Sequence, residues 1–179
     1  FALKALPQDQ VAKDSAKTKY ESYLEATGIH YDKGDIEQAI ENGYKSLKIA
    51  YDLNDPKKIE ASYSSLIPCY LLINDTAAVK EYTFKAAKIA EQIDDDVVKG
   101  WSLMNLANMY ADIDNDYDKA IDYTLSAITK FENANDSTAL INAHYNLVFT
   151  AFDSDNYELG FTHLKRGLKY FTEDSSKQL

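Results

Sequence analysis

The stretch MYADIDNDYDKAIDYTLSAI, residues 109–128, decides the fold of this chain. Two other stretches share its pattern: YDKGDIEQAIENGYKSLKIA from Tyr31 and AFDSDNYELGFTHLKRGL from Ala151. A short side chain recurs near the start of each copy's second helix, at positions forty or forty-one residues apart: Ala39, Val79, Ala120 and Gly160. A repeat of this length is typical of stacked supersecondary units, which usually serve as binding scaffolds.

Apolar residues inside the copies follow helical spacing. Leu103, Leu106 and Tyr110 fall on one face of a helix, and no stretch alternates long enough to indicate a strand. The pattern therefore predicts an all-α chain. Its eight helices are expected at about 16–32, 36–53, 57–73, 76–93, 97–113, 117–132, 138–152 and 157–171.

Capping signals indicate where these helices begin. Asp35 is expected to cap the second helix in a capping box with Gln38, and Asp96 to start the fifth. Asp55 precedes Pro56, which suits the first position of a helix. Later units carry a cap residue at the same point: Asp75, Asp116 and Asn156.

These features resemble the tetratricopeptide repeat family, whose motif places a Leu–Gly/Ala pair and a Tyr on the first helix. The third unit matches best, through Leu106–Ala107, Tyr110, Asp116–Tyr117, Ala120 and Ala127. The resemblance implies an α-solenoid of four stacked helix-turn-helix units in a right-handed superhelix. The expected division is a lead-in segment 1–14, repeats 15–55, 56–95, 96–136 and 137–171, and a tail 172–179.

The forty-residue units look like those of bacterial tetratricopeptide regulators. In such proteins the array precedes a transmembrane helix with a histidine kinase, or a DNA-binding output domain. The resemblance thus implies a protein- or peptide-binding module, the sensory or scaffolding part of a larger bacterial signalling regulator. A stand-alone adaptor or peptide receptor is one alternative, and a helical lipid-binding or enzyme-associated domain is another. A periplasmic sensor segment and a cytoplasmic location are both left open.

In this family the first helix of each pair lines the concave face. The positions that match in this chain combine aromatic rings with amide groups, which suit capture of a protein or peptide. They are Tyr31, Trp101, Met104, Asn108, Asn142, Tyr145, Phe149 and Phe152. Trp101 and Phe149 have the alternative of packing against the next helix. Cations are missing from the matching positions, so a clamp on a C-terminal carboxylate is disfavoured.

Composition and spacing argue against other functions. The formal net charge is −10, which disfavours nucleic acid as a partner. No run of 18 apolar residues exists, so direct membrane insertion is not expected. His30, His144 and His163 lack the spacing of metal ligands. The run that begins at Asp112 lacks the Gly and Glu of a calcium loop, so no metal, cofactor or enzyme activity is expected.

The last helix carries apolar residues on the face that a fifth unit would cover. These residues are Leu164, Leu168 and Phe171. Terminal repeats need a polar outer face to stay in solution. We therefore expect either a continuation of the chain over this face or a homo-oligomer through the C-terminal end.

Overall fold

The computed structural model describes residues 8–177, with side chains for residues 12–171. Within this range the chain contains eight α-helices, one π-helical turn and no strand, which confirms the predicted all-α class. The helices are α1 Gln8–Asp32, α2 Ile36–Asp52, α3 Pro56–Leu72, α4 Thr76–Ala90, α5 Asp96–Met109, α6 Tyr117–Ala134, α7 Ser137–Asp153 and α8 Tyr157–Lys177. They form two compact units that divide between Ile89 and Ala90.

Most helix ends lie within a few residues of the expected positions, and the two terminal helices are longer. α1 begins at Gln8, inside the expected lead-in segment, and α8 continues to Lys177 through most of the expected tail. The remainder of both segments, residues 1–7 and 178–179, lies outside the described residues. The repeat boundaries and the right-handed superhelix stay predictions.

Five of the seven turns between the described helices share one two-residue pattern. A residue with positive φ is followed by a residue whose side chain caps the next helix, as in Asn54–Asp55 and Asn135–Asp136. Asparagine tolerates the left-handed region better than most residues, because its short side chain hydrogen-bonds locally. The Asp55 carboxylate then accepts bonds from the backbone N–H groups of Lys57 and Lys58, at 3.1 and 3.3 Å.

Two expected caps are wrong. Asp35 makes no side-chain cap bond to α2, so the capping box with Gln38 is not formed. Its carboxylate instead lies 3.5 Å from Nδ1 of His30. For α5 the cap is Asp95, one residue before the expected Asp96, and Asp96 pairs with Lys130 at 3.0 Å.

A π-helical turn, Tyr110–Asp114, ends the first helix of the third repeat. The caps show why it forms. Asp55 and Asp75 are twenty residues apart, as are Asp136 and Asn156, whereas Asp95 and Asp116 are twenty-one apart. A π turn accommodates one extra residue inside a helix and leaves the next helix in its usual place. Asn115, with φ of 52°, then closes the turn.

The core of the C-terminal unit lies between α6 and its neighbours. Its buried residues are Met104, Ala127, Ile128, Phe131, Ala139, Leu140, Ala143 and Leu147. The ring of Phe131 is fully buried and occupies the space that a side chain at Gly100 would need. Gly100 thus lets α5 and α6 approach closely, as small residues do at helix contacts.

The repeat phase makes a stability prediction at Ala120, which is fully buried in α6. Replacing it with leucine forces extra methylene groups into a packed helix contact, which costs about 1–3 kcal/mol. We expect the melting temperature of Ala120→Leu to fall by several degrees in circular dichroism. Ser126→Leu, at an exposed position of the same helix, is the matched control. Equal melting temperatures for the two variants would contradict the phase.

Candidate functional site

An open cleft of about 420 Å³ lies in the C-terminal unit between α5, the π turn and α7. It combines aromatic rings, amide groups and carboxylates on one surface. Its lining residues are Met104, Asn108, Ala111, Asp112, Asn142, Tyr145, Asn146, Phe149, Thr150 and Asp153.

Five of the eight residues expected to bind a partner line this cleft. They are Met104, Asn108, Asn142, Tyr145 and Phe149. Helical periodicity explains the grouping, because residues three or four apart share one face of a helix. Their role in binding stays a prediction.

The other three expected residues lie elsewhere. Trp101 packs against Phe131, with ring centroids 5.2 Å apart, and remains partly exposed. Phe152 turns toward α8, where it contacts Phe161 and fills the space above Gly160. A glycine at that point leaves room for the ring, so Phe152 belongs to the α7–α8 contact. Tyr31 is half-buried on α1, in the N-terminal unit.

A pair of amide side chains spans the cleft from α7 to α5. The Nδ2 group of Asn146 donates to Oδ1 of Asn108 over 2.6 Å. The Thr124 hydroxyl donates to the backbone oxygen of Ala120 over 2.8 Å and lies 3.4 Å from Oδ1 of Asn146. The bond between the two amides leaves the Asn108 N–H groups available to a ligand.

Two aromatic rings form one wall of the cleft. Tyr145 and Phe149 are one helical turn apart on α7, with ring centroids 4.6 Å apart in an edge-to-face arrangement. They remain 64% and 51% exposed. Rigid, exposed rings offer a partner large contact area at small entropic cost.

Carboxylates lie at the other end. Asp112, on the π turn, and Asp153, near the end of α7, both line the cleft. Burial raises the pKa of the Asp112 carboxyl, and the nearby Asp153 carboxylate raises it further. Among the described residues neither carboxylate has a cationic partner. This end of the cleft therefore favours a positively charged group.

Both carboxylates were missed by the repeat-based prediction. The motif assigns lining positions from a regular α-helix, and the π turn changes the direction of the residues that come after Tyr110, Asp112 among them. For Asp112 the one available signal was the extra residue between the caps Asp95 and Asp116. Asp153 is the last residue of α7, beyond the positions that the motif assigns to the concave face.

The structure also brings together two histidines that lie nineteen residues apart in the sequence and were not expected to meet. Nδ1 of His144 on α7 lies 2.9 Å from Nδ1 of His163 on α8, and both rings are buried. The Tyr170 ring stacks on His144 at 5.7 Å. Burial lowers the pKa of His144 to about 4, with smaller contributions from His163 and Arg166, so the ring is neutral at pH 7. The sequence alone does not reveal the register between α7 and α8 that places these two rings side by side.

Tyrosine hydroxyls form a second cluster, in the N-terminal unit. The Tyr44 hydroxyl shares hydrogen bonds with those of Tyr70 and Tyr82, and Tyr51 pairs with Tyr63 over 2.7 Å. Burial, followed by the hydrogen bond to Tyr44, raises the pKa of Tyr70 to about 12. The hydroxyls satisfy one another, which ties α2, α3 and α4 together.

The described residues offer little for a metal site, a reactive thiol or a membrane span. Within residues 12–171 no three potential metal ligands come together. Cys69 is buried, and burial raises the pKa of its thiol. In the described part of the chain, no helix combines the length and apolarity that crossing a membrane requires.

No protein-family model and no curated protein sequence match this chain. Three solved structures resemble its fold. The apo form of RapI has 16% sequence identity and a TM-score of 0.78 over 89% of this chain and 58% of its own. BtubC (BKLC) from P. vanneervenii has 15% identity and a TM-score of 0.74 over 97% and 68%. Aspartyl phosphate phosphatase F from Bacillus subtilis has 16% identity and a TM-score of 0.79 over 88% and 41%.

This chain thus spans well under two thirds of the length of RapI and of phosphatase F. At these identities the likeness concerns the fold alone, which is a helical repeat of the tetratricopeptide type.

Proposed function

We propose that this chain is a protein- or peptide-binding module that acts without catalysis. The observation that carries the proposal is the cleft between α5, the π turn and α7, where amides, aromatic rings and carboxylates share one surface. We further propose that it is the sensory or scaffolding part of a larger bacterial signalling regulator. That context rests on the resemblance of its forty-residue units to those of such regulators.

The chemistry of the cleft favours an extended peptide segment. The Asn108 and Asn142 side chains suit the N–H and C=O groups of a peptide backbone, which need both donors and acceptors. Tyr145 and Phe149 suit an apolar side chain, and the Asp112 end suits a basic one. A stand-alone adaptor or peptide receptor would use the same cleft.

A helical lipid-binding or enzyme-associated domain would require a different kind of cleft. A lipid needs a long apolar cavity, whereas this cleft has two carboxylates and three asparagine side chains in its lining.

Sequencing the surrounding reading frame tests the regulator context directly. A kinase or DNA-binding domain in the same chain would support it, and a lone adaptor would contradict it.

The cleft is tested with a partner captured from native lysate and identified by mass spectrometry. Tyr145→Ala should weaken its binding by about 2 kcal/mol, because a central aromatic anchor is lost. Asn108→Ala should cost about 1 kcal/mol through a lost hydrogen bond. Isothermal titration calorimetry measures both.

Phe84→Ala is the matched control, since this exposed ring lies on α4 in the N-terminal unit. It should leave the affinity unchanged. If Tyr145→Ala and Asn108→Ala both bind like the wild type, the partner uses another surface.

A further inference from the structure

The contact between α7 and α8 has two imidazole rings at its centre. Nδ1 of His144 lies 2.9 Å from Nδ1 of His163, and the two side chains are 1% and 3% exposed. Two further residues of α8 close over His144. Tyr170 stacks on its ring, and Gly167 lies so close that a side chain there would meet Cβ of His144 at 3.2 Å. Moving α8 away from α7 would therefore open this ring to water.

The contact between the two rings suits neutral histidines. A neutral ring has one N–H donor and one acceptor nitrogen, so one Nδ1 donates to the other. A proton on each ring would instead place two N–H groups and two positive charges face to face at 2.9 Å. Nε2 of His144 is also buried, without a hydrogen-bond partner among the described residues, so a charge on this ring would not be solvated. Separated in water, each ring would take up its proton near the ordinary pKa of 6.5.

Within the described residues no carboxylate lies beside the pair to compensate such a charge. Asp136 and Asp153, at the two ends of α7, are about two turns or more away along the helix. The buried residues of α5 and α6 include no ionisable group. Burial lowers the pKa of both histidines, and the Arg166 guanidinium lowers it further. The other ionisable residues near the pair in sequence are basic or phenolic: Tyr145, Lys165, Lys169 and Tyr170.

α8 can separate from α7 without disrupting the C-terminal core. In the described part of the chain its principal neighbour is α7, whereas α6 packs against both α5 and α7. The buried residues of that core belong to α5, α6 and α7, and α8 adds Leu159 and Tyr170 at its edge. The same α7 carries Tyr145 and Phe149 of the cleft wall, so a separated α8 would leave that wall without its support.

We propose that the histidine pair, His144 and His163, is a pH-sensitive switch that holds α8 on α7 while both rings are neutral and releases α8 when they take up protons. α5, α6 and α7 stay folded in the released state. Because the docked rings have lowered pKa values, the released state binds more protons, and its population increases as the pH falls below 6.5. The acid response is thus a local opening of one helix, which precedes unfolding of the whole unit.

Hydrogen exchange of the whole 179-residue chain, followed by mass spectrometry at pH 7 and pH 5, tests the switch. After correction for intrinsic exchange rates, the protection of the α8 amides should fall by at least about tenfold at pH 5. Small amounts of urea show which opening is responsible, because the urea dependence of exchange scales with the surface that the opening exposes. Exchange in α8 should hardly respond to urea, whereas α6 should exchange through a larger, urea-dependent opening.

A double variant, His144→Asn with His163→Asn, removes both titrating groups and keeps two side chains that can hydrogen-bond to each other. Its α8 protection should change by less than about threefold between the two pH values. His30→Asn, the same change on α1 in the N-terminal unit, should keep the full response. If the double variant does not hold α8 at pH 7, His163→Asn alone takes its place and should lose part of the response.

Three results would overturn the proposal. In the first, the protection of α8 is the same at both pH values. In the second, α8 and α6 exchange at pH 5 through the same urea-dependent opening, so that acid acts on the whole C-terminal unit. In the third, a folded variant of the pair keeps the full wild-type response, so that other groups cause it.

Discussion

Phe131→Ala should lower the free energy of unfolding by about 3–5 kcal/mol, because Phe131 is the largest fully buried side chain among the residues that the structure describes. The ring is fully buried at the centre of the C-terminal core and contacts Trp101. Its removal loses the transfer free energy of the ring and leaves a cavity that fixed helices fill only in part. Urea denaturation monitored by circular dichroism measures the change.

The repeat supplies a matched control for this variant. Phe171 is the same residue at the equivalent position of the next unit, and it is 59% exposed. Phe171→Ala should therefore change the stability of the isolated chain by less than about 1 kcal/mol. Similar losses for the two variants would show that Phe171 is covered in solution, which the structure of a single chain does not predict.

Acid should destabilise the protein through the buried histidine pair. The pKa of His144 is about 4 in the folded chain, against an ordinary value of 6.5. As the pH falls below 6.5, the unfolded chain takes up a proton that the folded chain refuses. The stability contributed by the neutral ring is thus complete above this value and is lost between pH 6.5 and 4. His163, whose pKa is also lowered by burial, adds to the loss.

Between pH 7 and pH 5 we expect His144 alone to remove about 2 kcal/mol from the free energy of unfolding. Urea denaturation at the two pH values measures this difference. His144→Asn keeps a polar group near the position of Nδ1 and has no proton to gain, so most of the difference should vanish. A variant with the wild-type pH dependence would assign the acid sensitivity to other groups.

Local sequence signals predict the helices well because each depends on residues close together in the chain. The apolar period and the Asn–Asp turns locate every helix to within a few residues, apart from the ends of α1 and α8. Asp35 shows the limit of such signals, because it precedes α2 as a cap residue should and yet its side chain makes no cap bond. A cap motif indicates which hydrogen bonds are possible at a helix start but does not determine which of them forms.

The residues that line the cleft were harder to predict from the sequence than the helices, because they depend on packing between helices. The family pattern places Met104, Asn108 and Tyr145 on one face, and the structure groups them. It also places Phe152 there, but the space above Gly160 draws that ring toward α8. Choosing between two faces of a helix requires knowing what lies opposite, which one repeat motif does not contain.

The π turn at Tyr110–Asp114 shows how such an array can diversify. Adding one codon inside a helix normally rotates everything after it by about 100°, which would misplace all later contacts. Here the rotation ends within a single turn, since Asp116 caps α6 as the other cap residues do in their units. One copy can thereby present new side chains, Asp112 among them, while its neighbours keep their own. In a protein built from similar repeats, a one-residue insertion can therefore change the ligand preference of a single repeat in a way that substitution alone cannot.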